Sequence, residues 1–235
     1  MSNIESLFKG NETVDERVRI LLAENKRLQT KVLKQDSGAE IFLSVLERVY
    51  RKPSNLKVLK PKLSRKKQKE TALLHITDTH AGKLTDTFNI SVLGDRLLQV
   101  LSAVDEITQL RRNSAAIDEI VVLLGGDLLE GQLIFPAQQF STDIDIVEQC
   151  LKQGPELYAN MIIHLAQQFP AVRVVAVNGN HGRTSKDGSG RFNADAILYE
   201  LTRGLVNKVA SNVTFDLPLD RSPGDDWYAH TEIDG

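Results

Sequence analysis

Ile120-Val121-Val122-Leu123-Leu124-Gly125-Gly126-Asp127 is the stretch that decides the fold. Five aliphatic residues run without a polar interruption and stop at a glycine pair followed by a carboxylate. Such a run reads as a buried strand of a parallel or mixed sheet. Two further stretches repeat the pattern. Residues 72–77 lead into Asp78-Thr79-His80, and residues 172–177 lead into Gly179-Asn180-His181. Helical segments are expected over 92–112, 142–169 and 193–209. The middle one should start at the Thr142-Asp143 cap and break or kink at Gly154-Pro155. Strand and helix therefore alternate, which makes the chain α/β. Ligands of such sheets collect at the carboxyl ends of strands. Asp78, His80, Asp127, Asn180 and His181 should then converge on one edge, with the first and third apolar runs side by side. Two Asp, one Asn and two His offer oxygen and imidazole donors. That set suits Mn, Fe or Zn, and one Asp can bridge two ions.

The order D-x-H, G-D, G-N-H, each behind an expected strand, resembles the calcineurin-like metallophosphoesterase superfamily from about residue 73 onward. Gly126-Asp127-Leu128-Leu129-Glu130-Gly131 and Gly179-Asn180-His181-Gly182-Arg183 are most similar to its phage and bacterial DNA-repair-exonuclease branch. The resemblance implies a β-sandwich flanked by helices, built around two divalent metal ions. Manganese is the expected metal, with iron, zinc or magnesium as alternatives. By the same resemblance Asp78 and His80 hold the first metal, Asp127 bridges both, and Asn180 holds the second. His181 would be the catalytic group that donates a hydrogen bond or proton to the leaving oxygen. An imidazole suits that task because its ordinary pKa lies near working pH. Arg183 stands where the family more often carries an acidic residue. It is a candidate substrate-binding residue that clamps a phosphate, or it pairs with a loop carboxylate. Glu130 either supports the metal shell or caps a helix. His75 and His164 are expected as packed, structural histidines.

The chain departs from the family downstream. The resemblance calls for further histidines, ending in a G-H-x-H pair, yet only His230 follows His181. Segments 213–217 and 227–233 are expected as strands of a second sheet layer. Asp234-Gly235 is a dipeptide favoured in hairpin turns. The expectation is a metallophosphoesterase domain over 71–235 that is incomplete at its C-terminus.

Charge is uneven. Residues 1–70 carry 17 of the 29 Lys/Arg and 9 of the 31 Asp/Glu. A basic segment beside an acidic domain is the pattern of a polyanion contact next to a metal site. Val14, Val18, Leu21, Asn25, Leu28 and Val32 alternate at spacings of four and three, a candidate coiled-coil seam within an N-terminal helical segment, 1–51. It would make a homodimer, or else pack on its own domain. Residues 52–70 form a basic linker containing Arg65-Lys66-Lys67-Gln68-Lys69, either a solvated tether or an arm for phosphates. Cys150, the single cysteine, excludes an intrachain disulfide. No apolar run reaches membrane-spanning length, and the N-terminus lacks a secretory signal. A cytoplasmic protein is expected, in a host's cytoplasm if the source is viral.

Three functions follow as expectations. The first is a metal-dependent phosphodiesterase, a DNA nuclease or exonuclease-like enzyme with DNA as partner. The second is a nucleotide or phosphomonoester phosphatase. The third is a catalytically incomplete DNA-binding or oligomerising subunit.

Overall fold

The computed structural model describes residues 61–66, 68–132, 134–135, 138–184 and 192–233. The candidate coiled coil and the N-terminal part of the basic linker lie outside the described residues. The elements run β1 (Lys69–Ile76), α1 (Ile90–Arg111), β2 (Ala116–Leu124), α2 (Ile146–Leu151), α3 (Gln153–Gln168), β3 (Ala171–Ala176), α4 (Ala194–Asn207) and β4 (Val213–Asp216). The four strands form one parallel sheet in the order β1-β2-β3-β4. The chain is therefore α/β, with a parallel sheet flanked by helices.

Two expectations about strand placement are corrected here. The first and third apolar runs are not side by side, because β2 lies between them. Each helical crossover sets the next strand beside the previous one, the usual outcome of short connections. Segment 213–217 is not in a second layer either. It supplies β4, which pairs with β3 through Val172 and Val213 in the same sheet.

Register explains the core. Leu74, Val122 and Val174 are aligned across three strands, as are Ile76, Leu124 and Ala176. All six are buried, together with Ile120, Val172 and Val213 on the same face. The two-residue period of a strand sends these side chains one way. Leu93, Leu97 and Leu101 of α1, Ile162 and Leu165 of α3, and Leu198 and Leu201 of α4 are buried as well. α1 packs against α3 and α3 against α4, so the helices form one layer. Each fully buried Leu, Ile or Val adds about 1.5–3 kcal/mol.

The opposite face is treated unequally. Val121 and Val175 are buried there, whereas Leu73 and His75 on β1 are exposed. His75, expected to be packed, is therefore open, because it sits on the outer strand. Segment 227–233 carries no strand. Its backbone instead meets a side chain. Arg173 donates through Nη1 to Thr231 Oγ1 at 2.6 Å and through Nη2 to the Glu232 carbonyl at 2.8 Å. His164 does play a structural part, with Nε2 2.9 Å from Asp105 Oδ2.

The helical stretch over 142–169 is broken into two helices close to Gly154-Pro155, where a break or kink is expected. Asp145, not Thr142-Asp143, caps α2 through Val147 and Glu148 N–H. The chain breaks at Lys152 (φ −127°, ψ −88°), just before Gly154-Pro155. Proline lacks the N–H that would continue α2 into α3. No described helix is long and apolar enough to cross a membrane.

Candidate metal centre

The loops that leave β1, β2 and β3 keep pairing past the ends of their strands. Asp78 N donates to the Gly126 carbonyl at 3.1 Å, His80 N to Asp127 O at 3.1 Å, and Ala81 N to Leu128 O at 2.8 Å. From the third loop, His181 N donates to Asp127 Oδ1 at 2.7 Å. Asp127 thus sits on the middle loop, in hydrogen-bond contact with both flanking loops. Asp78, His80 and Asp127 all have left-handed backbones, with φ of 53°, 46° and 51°. They are the only non-glycine residues so strained among those described. Each such residue costs roughly 1–3 kcal/mol and persists only where its surroundings enforce it. Here the enforcement is the loop pairing itself.

His80 is held between two carboxylates. Its Nδ1 lies 3.0 Å from Glu130 Oε2, and its Nε2 lies 3.9 Å from Asp78 Oδ1. The second gap is beyond hydrogen-bond reach. Glu130 is almost fully buried, and neither its Oε2 nor His80 Nδ1 has a hydrogen-bond partner with good geometry. Buried polar atoms left this way are costly without a further partner such as a cation. Burial first, and the His181 ring second, hold His80 below its usual pKa, against the raising pull of Glu130. The neutral imidazole that binds metals is thereby favoured.

His80, Glu130 and His181 each bring a donor atom within 4.8 Å of the others, a group among the described residues that could hold a metal ion. This group differs from the set expected from sequence, which joined His80 to Asp78, Asp127 and Asn180. The hydrogen bonding of His181 separates the two. Its Nδ1 is engaged by Gln138 Nε2 at 2.9 Å and by the Glu130 carbonyl at 3.0 Å. Gln138 is itself buried and also donates to that carbonyl at 2.8 Å. The remaining nitrogen of His181, Nε2, is the one left for chemistry. The His80 and His181 rings meet edge to face, 4.4 Å apart.

Asp195, in the first turn of α4, joins the second and third loops from below. Its Oδ2 accepts the N–H of Asp127 at 3.1 Å and of Gly179 at 2.9 Å. Asn193 caps the same helix, accepting from Asp195 N at 2.8 Å and donating through Nδ2 to the Gly179 carbonyl at 2.9 Å. Complete burial pushes the Asp195 carboxyl up to about 6, opposed by the Gly179 N–H bond and reinforced by the nearby charge of Asp127.

Asn180 is exposed at the rim. Arg183 curls back on it, donating from Nε to the Asn180 carbonyl at 3.1 Å. Its guanidinium lies over the Trp227 ring, 5.9 Å from the centroid. Among the described residues it forms no ion pair, so of its two expected roles the carboxylate pair has no described partner.

All five sequence-nominated residues thus stand on three neighbouring loops. Asp78, His80, Asp127 and His181 are linked by the contacts above, while Asn180 joins them only through its place in the chain beside His181. Donor chemistry fits a hard to borderline divalent cation, held by carboxylate, imidazole and amide groups. Sequence reasoning missed Asp195, which carries no motif. An acid two residues after a candidate Asn cap, Asn193-Ala194-Asp195, was the available sign. Comparison of the chain with protein-family models and with curated proteins finds no match.

Proposed function

We propose that this chain is a metal-dependent phosphoesterase that cleaves phosphodiester bonds of DNA, built on a metallophosphoesterase-like sandwich. The observation that carries the reading is the meeting of Asp78, His80 and Asp127, all with left-handed backbones, at the carboxyl ends of adjacent parallel strands. Strain concentrated at three chemically matched residues is the mark of a functional site. Asp78, His80, Asp127 and Asn180 would hold two divalent ions, with manganese the first choice. When bound, such ions make water nucleophilic near neutral pH and neutralise phosphoryl oxygens. Glu130 Oε2, 3.0 Å from His80 Nδ1, places a buried carboxylate beside that imidazole and would support it as a ligand. Asp127 is fixed through its backbone by Asp195 and through Oδ1 by His181 N, which would hold its carboxylate in place as a ligand. His181, gripped at Nδ1, places Nε2–H toward the leaving oxygen and supplies its proton. The homodimer through the N-terminal helix, and DNA as the partner of the basic segment, belong to the same proposal.

The test is hydrolysis of bis-p-nitrophenyl phosphate and of DNA with manganese, against the mono-ester and against EDTA. Cleavage of both diesters, lost in EDTA and in Asp127→Ala, supports the reading. Hydrolysis of the mono-ester alone makes the protein a phosphatase, and DNA binding without any hydrolysis makes it a binding subunit.

A further inference from the structure

The rim of this site carries two part-exposed aromatic rings near the Asn180-His181 pair. The Phe135 ring stands 5.1 Å from the His181 ring and is 40% exposed. Trp227 is 42% exposed and carries the Arg183 guanidinium, which is tied to the Asn180 carbonyl. Large apolar rings are ordinarily buried or cover one another. The backbone beside Trp227 is anchored. Asn178 N donates at 2.9 Å to the carbonyl of Asp226, which is buried, while the indole is part-exposed.

We propose that Trp227 and Phe135 are stacking platforms for unpaired nucleobases, so that the site takes single-stranded DNA with bases splayed on either side of the scissile phosphate. The proposal rests on the phosphoesterase reading for the position of that phosphate. Three features select this ligand. A planar ring with one open face accepts any base, and each stacked base is worth about 1–3 kcal/mol. A guanidinium already over the indole adds a cation to the platform and lies within reach of a backbone phosphate. A base pair inside a duplex offers no free face to either ring, because its faces are covered by its neighbours. Bases can reach both rings only from a single strand or a frayed end.

The test is a fluorescence titration of the full chain in EDTA, where nothing turns over. Trp227 is the only tryptophan in the protein, so its emission reports on this platform alone. An oligothymidylate of roughly a dozen nucleotides should quench it. An abasic strand of equal length and a blunt duplex should not. By anisotropy of a labelled oligothymidylate, Trp227→Ala and Phe135→Ala should each weaken binding about tenfold. Trp227→Phe should retain part of the affinity, which separates loss of stacking from misfolding. Equal binding of the abasic strand, tighter binding of the duplex, or thymidine monophosphate quenching as tightly as the strand would each overturn the proposal. A chain that hydrolyses bis-p-nitrophenyl phosphate with manganese but shows no quenching overturns the stacking alone. A chain that is quenched only by unpaired strands yet hydrolyses nothing supports the stacking and removes the phosphoesterase reading.

Discussion

Asp195 Oδ2 accepts the backbone N–H of Asp127 at 3.1 Å and that of Gly179 at 2.9 Å, so one buried oxygen holds two loops of the site at a fixed separation. Asn193, the cap of α4, adds a bond from its Nδ2 to the Gly179 carbonyl at 2.9 Å. Asp195→Ala leaves two buried donors without an acceptor and should destabilise the protein by about 2–4 kcal/mol. Asp195→Asn keeps an oxygen and should lose less. Urea denaturation midpoints measure both, and equal losses would show that the bond is dispensable.

Gly179 has no room for a side chain. A Cβ there would fall inside the contact radius of Asp127 N and Oδ1. Gly179→Ala should push Asp127 out of place, destabilise the fold by about 1–3 kcal/mol, and weaken manganese binding. Calorimetric titration with manganese reads the second effect. Affinity equal to that of the parent chain would mean that Asp127 is not a ligand.

Metal binding should stabilise the native state by mass action. Manganese at about a hundredfold excess over its Kd adds about 2.7 kcal/mol, which raises Tm by roughly 5–10 °C in a chain of this size. EDTA should reverse the rise and Asp127→Ala should abolish it. A rise that survives Asp127→Ala would move the metal elsewhere, with the His80, Glu130 and His181 group as the next place to test.

Gln138 holds the His181 ring at Nδ1. Gln138→Ala should lower turnover about tenfold for poor leaving groups and little for p-nitrophenolate, which departs without a proton. His181→Ala should show the same split more strongly. A uniform loss across leaving groups would contradict a proton-donating His181.

Cys150 is buried in α2, and burial pushes its thiol up to about 12. The thiolate is the reactive form, so the native thiol should resist Ellman's reagent at neutral pH. Labelling should appear only above the urea transition. Fast labelling of the folded protein would place Cys150 at the surface.

Much of this arrangement was legible along the chain. The runs ending at Thr77, Leu124 and Val177 announce strands because aliphatic, β-branched side chains suit a sheet buried on at least one face. The glycines and polar residues behind them announce loops, since a strand cannot bury them. That Asp78, His80, Asp127 and His181 come together at the strand ends was legible for the same reason. Helix ends were less so. Asp145 outcompeted Thr142-Asp143 as a cap because its carboxylate reaches two N–H groups at once.

What the sequence by itself determined is local. It specified which segments extend, which coil, and which short turns carry carboxylate, imidazole and amide groups, since those follow from periodicity and from residue chemistry. Tertiary structure alone decided that β2 stands between β1 and β3, that 213–216 joins the same sheet, and that His75 faces outward. Neighbouring order depends on how each crossover packs, which no local pattern encodes. It alone also decided that Asp195 and Gln138 steady Asp127 and His181. Both lie far along the chain from at least one partner, and only the packing of α4 and of the loop beyond β2 brings them within hydrogen-bond reach.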